Sequence, residues 1–175
     1  AVTVDTTAPA APAVSAVPED AAGGINAAEA TDGTSIEVSV PADAKAGDTL
    51  TLDVGGQPVT YTVLAADIGA TATVPVSAAT LAALTDGSIP VTATLTDQAG
   101  NTSPVSAPLN FTLDRAAPAT PAAAPDLTAT TDTGASDSDD YTGNSAPSFA
   151  IAAPAAGEVP SLYIDGVKVP ATFDA

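Results

Sequence analysis

Hydrophobic and polar residues alternate with a period of two along most of the first two thirds of the chain. Ile36, Val38 and Val40 share one side of a predicted strand, and polar residues lie between them. Such alternation is typical of a strand with one face in the core and the other in water. The same pattern predicts further strands at positions 14–17, 50–54, 59–63, 71–76, 89–95 and 105–113. This part of the chain is therefore predicted to be all-β.

Two local features interrupt the alternation. Gly55-Gly56 separates two alternating segments, which predicts a β-hairpin between them. Residues 77–84 lose the period of two, and Leu81 and Leu84 are spaced to share one face of a short helix. Ser77 is a suitable N-cap for this helix, and Gly87 is predicted to end it.

About seven short antiparallel strands within roughly 110 residues are typical of an immunoglobulin-like Greek-key β-sandwich. The chain lacks the Cys and Trp of antibody domains, so this similarity is one of architecture. The side chains predicted to face the core are Ile36, Val38, Leu52, Val63, Val74, Val91, Leu95 and Phe111.

One segment occurs twice and suggests how the chain is divided. Val2–Ala13 returns 109 positions later as Phe111–Ala122, each time as a strand, an Asp and an Ala/Pro segment. Proline fixes φ and lacks an N–H, so such a segment cannot continue a sheet and serves as a stiff joint. We expect residues 1–4 to end a preceding repeat, 5–114 to form one sandwich, and 115–175 to begin a second. The second sandwich is expected to be incomplete, with about 61 of roughly 110 residues present.

Composition excludes several classes of function. The chain has 21 acidic and 3 basic residues, a net charge of −18. This charge argues against binding to nucleic acid or to an anionic membrane surface, and it favours cations. No apolar run approaches the length of about 20 residues that insertion into a membrane requires. Leu, Ile, Val and Phe make up only 35 of the 175 residues. The core is therefore predicted to be thin, and another source of stability is expected.

Catalytic chemistry has few candidates in this composition. The chain contains no His or Cys, and no Ser-x-x-Lys motif is present. Carboxylate pairs are plentiful, but no aromatic-lined cleft is indicated beside them. We therefore predict that the protein is not an enzyme.

The acidic residues are concentrated after the second joint. Asp126, Asp132, Asp137, Asp139 and Asp140 are interleaved with Ser, Thr and Asn. One interpretation is a solvated acidic loop, which is the usual behaviour of a run of charges. The other is a Ca²⁺ site, because Ca²⁺ takes six to eight oxygen ligands from such side chains. The EF-hand pattern is not present here.

The candidate cation ligands of the first repeat are dispersed along the chain. They are Asp5 and Asp114 at the joints, Asp20, Asn26 and Glu29 in the opening loop, and Asp97 in a late turn. Loops at one end of a Greek-key sandwich cluster together, so Asp114 is a candidate neighbour of Asp97 or of the acidic loop. The alternative for Asp97, Asn26 and Glu29 is an ordinary role in surface turns.

Three segments resemble the bacterial Ig-like repeats of giant secreted adhesins, the RTX-type and biofilm-associated surface proteins of Gram-negative bacteria. They are the joint Val4–Pro12, the segment Ile25–Glu29 and the segment Asp97–Ser103. The region 126–142 resembles the opening of a sister repeat in such proteins. Arg115 differs from the Thr that usually follows the joint Asp.

This resemblance implies a spacer rather than an adhesive head. It implies Ca²⁺ at or near the joints, neighbouring repeats in the same chain as partners, no association into oligomers, and a secreted location on the bacterial surface. Two alternatives remain open at this point. One is a carbohydrate- or receptor-binding module, against which the scarcity of aromatic residues argues. The other is an accessory domain of a secreted hydrolase.

Overall fold

The computed structural model describes residues 4–121, 123–154 and 158–170. It divides the chain into two units, Ala1–Ala116 and Ala117–Ala175. The boundary lies two residues beyond the predicted one at Asp114. The predicted strand at Val2–Val4 lies outside the described residues except for Val4, which is exposed and in no strand.

Most regular elements of the first unit are strands. They are β1 (Ala13–Ala16), β2 (Ile25–Asn26), β3 (Thr34–Ser39), β4 (Thr49–Val54), β5 (Gln57–Thr62), β6 (Thr71–Val76), β7 (Gly87–Thr96) and β8 (Leu109–Asp114). One short helix, α1 (Ala78–Ala82), lies between β6 and β7. Two 3₁₀ helices, Pro18–Ala22 and Glu29–Thr31, flank β2.

These strands form two sheets that pack as a sandwich. The strand order is β1-β3-β6 in the smaller sheet and β2-β8-β7-β4-β5 in the larger one. The chain passes from one sheet to the other after β1, β2, β3, β5 and β6, as in Greek-key folds. All neighbouring strands are antiparallel except β2 and β8, which are parallel. The predicted all-β, immunoglobulin-like architecture is confirmed.

The core lies between the two sheets and contains all eight of the side chains predicted to face inward. Along β3 and β4, buried and more exposed positions alternate as the period of two requires. Phe111 is the largest fully buried side chain, and Val, Leu and Ile supply most of the rest. The core is therefore made of small aliphatic side chains around a single aromatic ring.

Both local predictions for the middle of the unit are confirmed. β4 and β5 form the hairpin, with Gly55 and Gly56 at positive φ in its turn. The side chain of Ser77 accepts a hydrogen bond from the N–H of Thr80 at 3.1 Å and caps α1. The side chain of Leu81 is fully buried, which attaches the helix to the core.

Four details differ from the prediction. The unit has eight strands rather than seven, because Ile25–Asn26 pairs with the end of β8. The prediction that Gly87 ends the helix was wrong, since α1 ends at Ala82 and Gly87 begins β7. Residues 105–108 form no strand, and Val105 is exposed. β1 ends at Ala16 rather than at position 17.

The described part of the second unit has shorter elements. β9 (Asp126–Leu127) pairs with β10 (Phe149–Ala150), and β11 (Tyr163–Ile164) pairs with β12 (Val167–Lys168). The turn Asp165-Gly166 of the second pair has positive φ at both residues. This geometry suits a two-residue hairpin. β11 and β12 therefore form a hairpin, whereas the incomplete second sandwich stays a prediction.

Phe111 is the side chain whose loss should cost the first unit most. We expect Phe111→Ala to lower the free energy of unfolding by about 3–5 kcal/mol, because it leaves a cavity that small aliphatic neighbours cannot fill. Val105→Ala is the control, since Val105 is 61% exposed, and it should change the value by less than about 0.5 kcal/mol. Chemical denaturation measures both. Equal effects of the two variants would contradict the described core.

Gly33 allows the chain to pass close to the end of β6. Its φ is +91°, and a Cβ at this position would collide with the backbone carbonyl oxygen of Val76. We expect Gly33→Ala to destabilise the unit more than Gly56→Ala, which has a similar φ of +87° but open space around it. Thermal melting compares the two variants. A smaller loss for Gly33→Ala would show that β6 does not approach so closely.

Candidate metal sites

One end of the first unit, called here the Asp5 end, carries a group of charged side chains around a shallow cavity of about 110 Å³. The charged residues that line it are Asp5, Asp43, Lys45, Asp48 and Asp97. They come from the first joint, from the loop between β3 and β4, and from the turn after β7. Three parts of the chain that are distant in sequence therefore meet here.

The joint residue Asp5 is attached to this end by several contacts. Its Oδ1 accepts a hydrogen bond from the N–H of Thr7 at 3.0 Å, and its carbonyl oxygen accepts one from the side-chain amide of Asn101 at 3.1 Å. The ammonium of Lys45 lies 3.8 Å from Oδ2. Farther along the joint, the N–H of Ala10 donates to Asp43 at 2.9 Å. These bonds hold the joint against the sandwich.

Asp48 is the buried carboxylate of the Asp5 end. It is 1% exposed, and its Oδ2 accepts a hydrogen bond from the N–H of Lys45 at 2.8 Å. Its Oδ1 has no hydrogen-bond partner in the described part of the chain. A buried carboxylate oxygen without a donor is costly. The oxygen is therefore a suitable ligand for a cation.

Asp97 organises the turn that follows β7. Its carboxylate accepts hydrogen bonds from the N–H groups of Ala99 and Asn101, at 2.9 and 2.8 Å, and from the side-chain amide of Asn101 at 2.9 Å. The amide of Asn101 first, and the backbone N–H groups with it, hold the pKa of Asp97 below its ordinary value of 3.8. The carboxylate is therefore both a turn residue and a charged group at the Asp5 end.

The opposite end, called the Asp114 end, contains Asn26, Glu29, Asp86, Asp114 and Arg115. Asn26 is directly opposite Asp114 in the parallel pairing of β2 with β8. The Oδ1 of Asn26 accepts from the N–H groups of Ala28 and Glu29, at 2.8 and 3.1 Å. In return, Oε2 of Glu29 accepts a hydrogen bond from the N–H of Asn26 at 2.9 Å. Both side chains thus stabilise the local turn.

Asp20 links the opening loop to β8. Its Oδ1 accepts a hydrogen bond from the N–H of Thr112 at 2.7 Å, two residues before Asp114. Asp114 itself accepts from the N–H of Ala116 at 3.1 Å, in the same type of turn that Asp5 makes with Thr7. The two copies of the joint therefore share a backbone geometry as well as a sequence.

Arg115 and Asp86 form an ion pair that is shorter than the contact between Lys45 and Asp5. The Nε of Arg115 lies 2.6 Å from Oδ1 of Asp86, and the backbone N–H of Arg115 donates to Oδ2 at 3.1 Å. The guanidinium first, and the backbone N–H after it, hold the pKa of Asp86 below its ordinary value of 3.8. Neither residue was among the ligands predicted from the sequence.

The two ends are separated by the length of β7. Gly87 pairs with Leu113 beside the Asp114 end, and Thr96 at the other end of β7 pairs with Thr49 and precedes Asp97. Ten residues of strand span about 30 Å. The hypothesis that Asp114 lies near Asp97 was therefore wrong. The direction of β7 and β8 decides at which end of the sandwich each Asp lies, and the loop sequences alone do not reveal that direction.

The acidic loop of the second unit is folded back on itself. Asp132 is 5% exposed, its Oδ2 accepts from the N–H of Asp140 at 3.2 Å, and its Oδ1 has no partner in the described part of the chain. Asp139 accepts from the N–H of Tyr141 at 3.2 Å. Asp126 lies in β9 and, like Asp137, is exposed. Only Asp132 and Asp140 of the predicted five are brought together by a hydrogen bond.

None of these groups is a complete metal site by side chains alone. Within residues 4–121, 123–154 and 158–170, no three His, Cys, Asp or Glu side chains are arranged to hold a metal ion. The sequence reasoning missed Asp43 and Asp48, which complete the Asp5 end. A usable signal was Gly47-Asp48 directly before β4, since Asp in a turn binds nearby backbone N–H groups.

Comparison with known proteins identifies the family. A model of the bacterial Ig-like domain matches residues 7–115, most of the first unit. The chain belongs to the bacterial Ig-like domain family. This confirms the resemblance drawn from the joint and turn segments. No curated protein matches the chain.

Two solved structures are similar to this bacterial Ig-like chain. One is a Ca²⁺-stabilized adhesin that helps an Antarctic bacterium to reach out and bind ice, with 31% identity and a TM-score of 0.49. The match covers 71% of this chain and 28% of that one. The other is a 1.5-MDa bacterial ice-binding adhesin, with 33% identity, a TM-score of 0.42, and 65% and 35% covered. The chain thus matches about a third or less of each structure.

The described ranges contain no helix with the length and apolar character that crossing a membrane requires.

The Asp97 turn should make the stability of the Ig-like domain depend on pH. Because its folded-state pKa is lowered, the charged turn stabilises the fold above the ordinary value of 3.8 and loses this effect as the pH falls through the lowered pKa. An NMR titration of the Asp97 carboxyl carbon should give a midpoint below 3.8. Asn101→Ala should move that midpoint upward, since the amide is the main cause.

Gln98→Ala is the matched control for this titration. Its side chain lies in the same turn but donates to the carbonyl oxygen of Ala46 at 3.0 Å. This variant should leave the midpoint of Asp97 where it is. A midpoint that does not move in Asn101→Ala would contradict the role of the amide.

Proposed function

We propose that this bacterial Ig-like chain is a structural spacer of a bacterial surface adhesin, without enzymatic activity. The observation that carries the proposal is the position of the two joints. Asp5 and Asp114 lie at opposite ends of the first unit, separated by the length of β7. A module that receives and releases its chain at opposite ends adds its full length to an array.

The contacts of the joints support a mechanical role. The first joint is bonded to the sandwich through Asp5, Ala10 and Asn101, and the second begins with the same Asp turn. Proline in the Ala/Pro segments limits bending of the chain. Each joint is therefore directed by the folded domain that it adjoins, and its direction is fixed better than that of a flexible linker.

The net charge supports solubility in an extended array. At −18, neighbouring repeats repel one another, which keeps them apart and soluble. The same charge opposes close packing of the carboxylates at each end. We propose that a bound cation neutralises these carboxylates.

Ca²⁺ is the cation that the oxygen-rich ends fit. At the Asp5 end, we propose Asp5, Asp97 and the unpartnered Oδ1 of Asp48 as ligands. At the Asp114 end, Asp114, Asn26 and Glu29 offer side-chain oxygens, and Asp20 of the opening loop is bonded to Thr112 of β8. Since Ca²⁺ takes six to eight oxygens, water and backbone carbonyls would complete each set.

The acidic loop of the second unit is the third proposed location. Asp132 offers the unpartnered Oδ1, and Asp140 is bonded to the other oxygen of the same carboxylate. Asp126, Asp137 and Asp139 would supply further oxygens. A bound Ca²⁺ would compensate the burial of Asp132 and reduce the repulsion between these residues.

The cellular role follows from the spacer function. We propose that the chain is secreted to the bacterial surface, where it is one module in a row of repeats of the same polypeptide. It would hold an adhesive domain away from the surface in cell adhesion or biofilm formation. Along such an array each repeat acts as a monomer.

Ca²⁺ should stabilise the 175-residue chain beyond the effect of salt. A cation that binds only the folded state adds RT ln(1 + [L]/Kd), about 2.7 kcal/mol at 100-fold excess over Kd. We expect the melting temperature to be highest in millimolar Ca²⁺, lower in EDTA, and lower in NaCl of matched ionic strength, because screening provides no directed coordination. Calorimetric melting and titration of Ca²⁺ measure the effect.

Single-charge variants test where the ions bind. Asp48→Asn, Asp114→Asn and Asp132→Asn should each remove part of the Ca²⁺ effect. Asp53→Asn is the matched control, since Asp53 lies in the β4–β5 hairpin, accepts from the N–H of Gly56 at 2.6 Å, and is not one of the proposed ligands. Identical melting in EDTA, NaCl and Ca²⁺ would refute the cation-stabilised spacer.

A further inference from the structure

The residue after Asp114 returns its side chain to the sandwich that the chain is leaving. Both oxygens of Asp86 bind Arg115: Oδ1 the Nε at 2.6 Å and Oδ2 the backbone N–H at 3.1 Å. The carboxylate therefore holds the side chain and the main chain of one residue together. Such charge-assisted bonds are among the stronger hydrogen bonds in proteins.

The remaining nitrogens of the guanidinium bind the end of helix α1. One terminal nitrogen donates to the carbonyl oxygen of Leu81 at 3.2 Å, and the other to that of Leu84 at 2.7 Å. The carbonyl of Leu81 lies in the last turn of α1 and also accepts from the N–H of Leu84, whereas Leu84 follows the helix. Arg115 thus supplies donors to three acceptor groups with fixed positions. A lysine has no planar fork with which to reach all three.

Among the described residues, from position 4 onward, the first joint has no equivalent contact. Asp5 and Asp114 make the same turn, at 3.0 and 3.1 Å, but Thr6 follows Asp5 where Arg115 follows Asp114. The cation near Asp5 is Lys45, which belongs to another loop, is 68% exposed, and lies 3.8 Å away. Arg115 is only 28% exposed. The two joints of one domain are therefore held by different means.

We infer that Arg115 is a built-in cation that fixes the direction in which the chain leaves the first unit, without the need for a dissolved metal ion. The covalently attached guanidinium is present at every Ca²⁺ concentration, so the start of the second joint stays ordered when divalent cations are removed. The ordering extends through Ala116, whose N–H is bonded to Asp114. This inference uses contacts within the first unit alone and does not depend on Ca²⁺ binding elsewhere.

The test is ¹⁵N relaxation of the whole 175-residue chain in EDTA and in Ca²⁺. In the parent chain, the amides of Arg115 and Ala116 should keep order parameters of about 0.85 under both conditions. The Nε–H of Arg115 should give a resonance that is protected from exchange with water. Arg115→Thr places the residue of the first joint at the second. It should lower both order parameters below about 0.6 in EDTA.

Three further variants define the mechanism. Arg115→Lys keeps the charge but loses the fork, and it should resemble Arg115→Thr. Asp86→Asn keeps the shape but loses the charge of the acceptor, and it should lower order partway. Lys168→Thr removes one positive charge from an exposed residue of the other unit and should change nothing. Unchanged amide resonances of β7 and β8 show that each variant is folded.

Several results would overturn the inference. Full order in Arg115→Thr would show that the turn at Asp114 is sufficient. Loss of order in the parent chain on adding EDTA would show that a metal ion holds the joint. Full order in Arg115→Lys would assign the effect to charge alone, and a loss in Lys168→Thr would assign it to net charge. Absence of Ca²⁺ binding would refute the Ca²⁺ sites but leave the comparison of Arg115→Thr with the parent chain intact.

Discussion

Contact between the two sheets is the interaction on which the rest of the first unit depends. It is made by Val, Leu and Ile side chains around Phe111, without Trp, Met or a disulfide. A core of this kind tolerates little misplacement, because each small side chain must meet a partner on the opposite sheet. The position of the loops follows from this packing, since strand ends define where each loop begins. The groups at the Asp5 and Asp114 ends are therefore a product of the sheet register.

The polar side chains at the two ends stabilise turns of the fold, whether or not a ligand is bound. Asn26, Glu29, Asp97 and Asp114 bind backbone N–H groups of their own turns. A carboxylate held in this way has a fixed position, which reduces the entropy lost when an ion binds. Turn formation and cation binding are thus compatible uses of the same residue. The alternatives weighed from the sequence, an ordinary turn or a ligand, do not exclude each other.

The strands and the core were predictable because alternation with a period of two reports burial directly. Ile36, Leu52 and Phe111 were assigned to the core by position alone, and all three are buried. The pairing of β2 with β8 was not predictable, since a two-residue strand is too short to show a period. The role of Arg115 depends on Asp86 and α1, which approach it only in the folded chain. The sequence therefore indicates which residues are candidate ligands but not how far apart they lie in the folded chain.

The parallel pairing of β2 with β8 has a consequence for a domain under tension. Force applied through the two joints acts along the strands, because the chain enters and leaves at opposite ends of the sandwich. Hydrogen bonds between strands lie across that direction, so those that hold β8 to β7 and to β2 are loaded together rather than one after another. Shear of this kind requires several bonds to fail at once. The short strand β2 therefore adds a second set of hydrogen bonds to β8, the strand on which the force acts.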